Sequence, residues 1–237
     1  MQLRTRVVMQ LAALCLAVGA SALAENNAYL YIVHAIPGRD IADNLNPGLP
    51  VDILFNGKSC LIRRLTFGNT SGPLPLAAGT YDVQISLSNT FEPCTNPAVI
   101  DAEVTLLPGQ NISAVAAINS TQPVLLQFLD PLGPVAPGNG RFALVNSADA
   151  PGLQATLTRV GVKSPATFTI QASPGAQTAI GVPSGNYLVE ITAVGSTTVL
   201  TSQEINLADQ SVTLSYASGE ELNNTVGLVN RVIRDVF

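Results

Sequence analysis

The sequence predicts an all-β protein: two tandem Ig-like antiparallel β-sandwiches behind an N-terminal signal peptide. Three observations predict it. Short β-rich runs recur between turn residues, with no long amphipathic helix among them. The second half of the chain repeats the motif order of the first. The opening 24 residues have the layout of an export signal.

The signal comes first in the chain. Arg4 and Arg6 supply a positive start, and Val7 to Ala20 is apolar except for Gln10 and Gly19. Ala22-Leu23-Ala24 is a small-x-small cleavage site, followed by polar Glu25-Asn26-Asn27. The apolar run is too short for a stable membrane span, and no later run reaches the roughly 18 residues that one needs. Leu14 precedes Cys15 where a lipoprotein signal wants a small residue, which argues against a lipid anchor. Cleavage after Ala24 leaves 213 of the 237 residues. It removes Arg4 and Arg6, leaving nine basic side chains against 16 acids, a net charge of −7 rather than −5. A nucleic-acid partner demands a basic face, so that class is excluded. The expected location is exported: periplasmic, cell-surface or extracellular.

Ala28 to Ala35 reads as the first strand. Val51, Ile53 and Phe55 alternate with Asp52 and Leu54 as a second. The following Gly57-Lys58-Ser59 resembles the tail of a phosphate-binding loop. That motif needs a glycine five residues before Gly57, and Asp52 stands there instead. Asn56-Gly57 fits a type I′ hairpin turn, with Leu61, Ile62 and Leu65 on the return strand. Tyr81–Leu87, Ala98–Leu106 and Asn111–Ile118 continue the pattern, divided by Ala78-Gly79, Asn96-Pro97 and Pro108-Gly109.

The repeat then sets the boundaries. The run from Tyr31 matches that from Phe142, and the run from Leu74 matches that from Ile180. Gly79 and Tyr81 match Gly185 and Tyr187 at one offset, 106. Gln110 matches Gln210, and Pro123–Pro131 matches Val226–Ile233. Residues 1–24 are therefore expected as signal, 25–130 as the first sandwich, 131–140 as a semi-rigid Pro/Gly linker and 141–237 as a divergent second sandwich. Gly79 and Gly185 would make turns, and Tyr81 and Tyr187 would brace corners by reaching backbone through their hydroxyls. Cys60 and Cys94 are the two cysteines left after processing. In an oxidising compartment they are expected to form a disulfide.

The runs VHAIPG, VDILFNG, FGNTSGPLPLAAGTYDVQI and LLPGQNISAVAAI together resemble the bacterial exported domains classed as domain of unknown function 4397. Val33-His34-Ala35, Val51-Asp52-Ile53, Phe67-Gly68, Ser71-Gly72 and Ala78-Gly79-Thr80-Tyr81 carry the likeness. It covers the first copy well and the second loosely, since Val145-Asn146-Ser147 replaces Val33-His34-Ala35. The resemblance implies tandem domains on secreted or surface proteins and supplies no activity.

His34 is the sole histidine, and no Gly-x-Ser-x-Gly elbow is present, so nucleophilic catalysis has thin support. His34 is expected to end a strand and bond loop backbone, with Asp52 as a candidate partner. Asp40, Asp43, Asn44 and Asn46 are weak candidates for calcium ligands, because their spacing is not that of an EF-hand. Asp101 and Glu103 fall on one side of a strand and read as solvent-facing. No cofactor is expected. The expectation is a non-catalytic binding, adhesion or envelope-structure protein with an unidentified surface or envelope partner. Loops 36–50 and 88–97 are the expected contact points. The alternative is a carbohydrate-binding or accessory module of an extracellular hydrolytic system. The absence of Trp and the 5% aromatic content weaken that alternative.

Overall fold

The computed structural model describes residues 26–234; the expected signal segment lies outside them. The first sandwich contains β1 (Asn27–His34), a short α1 (Gly38–Ile41), β2 (Val51–Phe55), β3 (Ser59–Leu65), β4 (Thr70–Ala77), β5 (Gly79–Leu87), β6 (Ala98–Leu106), β7 (Asn111–Asn119) and β8 (Gln122–Leu129). The second contains β9 (Asn139–Asn146), β10 (Leu153–Arg159), β11 (Thr167–Ala172), β12 (Gln177–Pro183), β13 (Gly185–Ala193), β14 (Val199–Leu207), β15 (Val212–Ser218) and β16 (Gly227–Ile233). β9 opens at Asn139 and so takes up the last two residues of the expected linker.

Each sandwich pairs two four-stranded sheets, β4-β1-β7-β8 on β3-β2-β5-β6, then β12-β9-β15-β16 on β11-β10-β13-β14. Twelve of these sixteen strands pair only antiparallel. The central pairs β1–β7 and β9–β15 are parallel, because the chain returns from the other sheet before each second member. The alternation read at Val51, Ile53 and Phe55 is real, and all three are buried in the first core. The β2–β3 turn has Asn56 at φ 50° and Gly57 at φ 62°, which is the type I′ geometry, closed by Lys58 N–H donating to the Phe55 carbonyl at 3.0 Å.

The ladders adjust the repeat by one residue. His34 faces Ala116 across its ladder as Asn146 faces Ala217, so β7 and β15 are offset by 101. Gly109 therefore matches Gln210, and both have positive φ, 74° and 50°. The chemical likeness of Gln110 to Gln210 misplaced that register.

Both tyrosines brace corners in the same way. Tyr81 Oη donates to the Ala77 carbonyl at 2.8 Å, and Tyr187 Oη donates to the Pro183 carbonyl at 2.7 Å. Tyr187 is the more deeply buried of the two. Tyr187→Phe is expected to cost about 1 kcal/mol, and Tyr81→Phe less, in urea denaturation.

β7 and β15 are buried on both faces along almost their whole length. Their inner rows fill the two sandwich cores, and their outer rows meet in a third apolar cluster that includes Val115, Ala117, Val145, Leu214 and Tyr216. The molecule is thus four sheets deep. The Pro/Gly linker is pinned rather than free. Arg141 donates to the carbonyls of Pro131 (2.6 Å), Gly133 (3.1 Å) and Pro134 (3.0 Å), and Val135 is buried.

Candidate functional site

The end at which β1 finishes and β2 begins is the apical end. Two long connections gather there in the first sandwich, 35–50 and 88–97. Their counterparts in the second are shorter, 147–152 and 194–198. The two connections that are longer in the first copy therefore lie at one end of it.

The 88–97 connection is built around Asp52. Asp52 sits on the outer row of β2, yet it is buried because this loop folds over it. Its Oδ1 accepts from Arg64 N–H and Ser88 Oγ–H, both at 2.9 Å. Its Oδ2 accepts from Asn89 N–H and Cys94 N–H, both at 3.1 Å. Burial pushes the Asp52 carboxyl up, but these four donors outweigh it and hold it below the usual carboxylate range. Cys94 is bonded to Cys60 on β3, with their Cα atoms 5.9 Å apart. Asn89 Oδ1 accepts from the Phe91 and Glu92 amides at 3.0 and 3.1 Å, and Thr95 Oγ donates to the Glu92 carbonyl at 2.6 Å. At the tip of this tied loop, Phe91 is 94% exposed.

His34 holds the other connection. It is buried; Nε2–H donates to the Leu49 carbonyl at 2.8 Å, and Nδ1 accepts from Ile36 N–H at 3.3 Å. Both ring nitrogens are therefore in use by the 35–50 loop, and Asp52 is not a partner. Burial lowers the His34 pKa, against an opposing pull from the Leu49 carbonyl. The folded state thus binds a proton at His34 less readily than the unfolded chain. Stability is expected to fall as pH drops from about 6.5 toward the lower folded value. Urea unfolding from pH 7 to 5 checks this, with His34→Gln flattening the slope.

Gly38 lets this loop close. A Cβ there would stand 2.0 Å from the Asn46 carbonyl oxygen. Beneath the loop lies an apolar crevice of about 70 Å³, lined by His34, Ile36, Ile41, Leu49, Leu87 and Val99 among others. Ile41, Leu87 and Val99 also expose apolar surface.

The structure does not gather the calcium candidates. Asn46 Oδ1 accepts from Gly48 N–H at 2.9 Å, while Asp43 and Asn44 are exposed. Both Asp40 carboxylate oxygens are buried, and burial pushes that carboxyl up against an opposing pull from the Thr225 hydroxyl. Among the described residues, no three His, Cys, Asp or Glu side chains are grouped to hold a metal ion. Asp101 pairs with Gln84 and Glu103 with Asp82 on β5–β6, where both acids are exposed. Among the described residues, no helix is long and apolar enough to cross a membrane.

A family model described as "Domain of unknown function (DUF4397)" matches residues 28–156. The chain belongs to the DUF4397 family. The match spans the whole first sandwich and runs through β9 into β10. No curated protein matches the sequence. Among solved structures, 90% of this DUF4397 chain aligns with 99% of a "putative cell adhesion protein" from Bacteroides ovatus, at 8% identity and TM-score 0.30. Another so described, from Bacteroides uniformis, aligns over 88% of this chain and 99% of its own, at 11% identity and TM-score 0.27. The Bacillus anthracis TIE protein is similar over 82% of this chain at 10% identity and TM-score 0.29; this chain spans 34% of it. TM-scores this low carry no argument about function.

Proposed function

We propose that this DUF4397 protein is an exported, non-catalytic binding protein of adhesion or cell-envelope type, and that it engages its partner through the apical end of the first sandwich. One observation carries the reading. A disulfide and three hydrogen bonds to Asp52, from Ser88, Asn89 and Cys94, immobilise a loop whose tip presents Phe91 almost wholly to solvent. Exposing a large aromatic side chain is unfavourable for the free protein, and holding it rigid reduces the entropy lost on association. Aromatic side chains, Phe among them, are enriched at the centres of protein interfaces.

Further support comes from the export signal read in the sequence and from the disulfide, which needs an oxidising compartment. The only histidine spends both nitrogens on loop backbone and is not free to act as a base. A single exposed aromatic is also what a small sugar platform offers, so a glycan array separates the carbohydrate-binding alternative from a protein partner.

The decisive variant is Phe91→Ala. It is expected to change stability by less than about 0.5 kcal/mol, as a surface substitution. Binding of the labelled full chain to intact cells of the producing organism is expected to fall about tenfold or more. Unchanged binding would overturn the assignment of the site.

A further inference from the structure

The outer faces of the sheets β4-β1-β7-β8 and β12-β9-β15-β16 are repeats of each other, and both are largely apolar. Such faces invite pairing of like with like between two chains as readily as the unlike pairing seen within one. The ladders show where they differ. Phe128 pairs with Ser113 in the first sandwich, and Arg231 pairs with Leu214 in the second. Arg231 therefore occupies the position of Phe128, and Leu214 that of Ser113. Two residues further on, Ile233 occupies the position of Asp130.

These exchanged positions meet at the seam. Arg231 Nη2 and Asp130 Oδ2 form an ion pair at 2.5 Å, with the side chains 7% and 0% exposed; it is the one ion pair among the described residues. Ser113 Oγ–H donates to Asp130 Oδ1 at 2.6 Å. Its proton being spent, Ser113 Oγ accepts from Tyr216 Oη at 2.7 Å and from Arg231 Nη2 at 2.8 Å. Arg231 Nε–H donates to Tyr216 Oη at 3.3 Å, and the guanidinium lies 3.7 Å from the centre of the Tyr31 ring. Ser113, Asp130 and Tyr31 come from the first sandwich; Arg231 and Tyr216 come from the second.

A buried pair of this kind adds little stability over apolar residues of the same size, whereas a buried charge without its partner is heavily penalised. First face on first face would bury two Asp130 carboxylates with no guanidinium. Second on second would bury two Arg231 side chains with no carboxylate. We propose that this network is a pairing code: it confines the two apolar faces to each other within one chain and excludes docking of a face onto its like on a second copy.

The test uses the full chain carrying Asp130→Leu together with Arg231→Leu. The wild type is expected to keep one mass in light scattering across a hundredfold range of concentration. The double variant is expected to stay folded and to form dimers, with a dimer fraction about tenfold or more above wild type. Arg231→Leu alone, which strands Asp130, is expected to speed hydrogen exchange of the β7 and β15 amides about tenfold or more. The exchange Asp130→Arg with Arg231→Asp provides a second route. Either single exchange is expected to lose that protection, and the pair to recover most of it. Wild-type mass in a folded double variant, or a charge-exchanged pair no better than its singles, would overturn the proposal.

Discussion

Asp52→Ala is expected to destabilise the protein by about 3–4 kcal/mol. Hydrogen bonds to a charged acceptor contribute about 1.5–3 kcal/mol each, and Asp52 accepts four. The sum is not reached, because the loop can open and let water replace part of what is lost. The loop should open first: hydrogen exchange at Asn89 and Cys94 should become fast while the β5 and β7 amides remain protected. The pH dependence has a definite sign. The folded pKa of Asp52 lies below its unfolded value, near 3.9, so its contribution is complete above that pH. It is lost as pH falls through the lower folded value. Wild-type stability should therefore drop steeply below about pH 4, and Asp52→Asn should flatten that limb. Equal acid slopes in the two proteins would contradict the role given to Asp52.

Removing the Cys60–Cys94 bond, by Cys60→Ser with Cys94→Ser, is expected to cost about 3–4 kcal/mol. The bond joins residues 34 apart, and the chain-entropy estimate for a loop of that length gives this value. Its local effect should differ from that of Asp52→Ala. Asp52 would still collect the Asn89 and Cys94 position amides, so the 88–97 loop should loosen without detaching. Urea denaturation should show a lower midpoint and a larger m-value, since the unfolded chain becomes more expanded. A triple variant combining this pair with Asp52→Ala should lose less than the two effects added, because both act on one loop.

The features that were legible in the sequence are those whose cause is local. Asn56-Gly57 announces a turn because only a few residues tolerate two positive φ values in succession. Gly79-x-Tyr81 and its repeat announce a corner because the tyrosine reaches back only four residues. The disulfide followed from a cysteine count and an expected compartment. Other features were hidden because their partners are distant in sequence. Asp52 reads as an outward polar residue of a strand, and nothing beside it shows that residues 88, 89 and 94 will close over it. Arg231 reads as a solvent-facing position until the second sandwich is seen against the first. A signal for that contact was present. Ser113 to Ile118 reads Ser-Ala-Val-Ala-Ala-Ile, five apolar residues in a row, the pattern of a strand covered on both faces rather than one. Phe91 was hidden by its polar neighbours, since exposure of a single aromatic residue leaves no periodic trace.

Under the proposed function, this protein meets its partner at the apical end of the first sandwich, with Phe91 at the tip. The most direct measurement is site-specific photocrosslinking in producing cells, with the crosslinker at position 91 or at exposed Lys163 on the opposite end. A discrete adduct formed from position 91, and none from position 163, is the predicted result. Adducts of equal yield from both positions, or from position 163 alone, would contradict it.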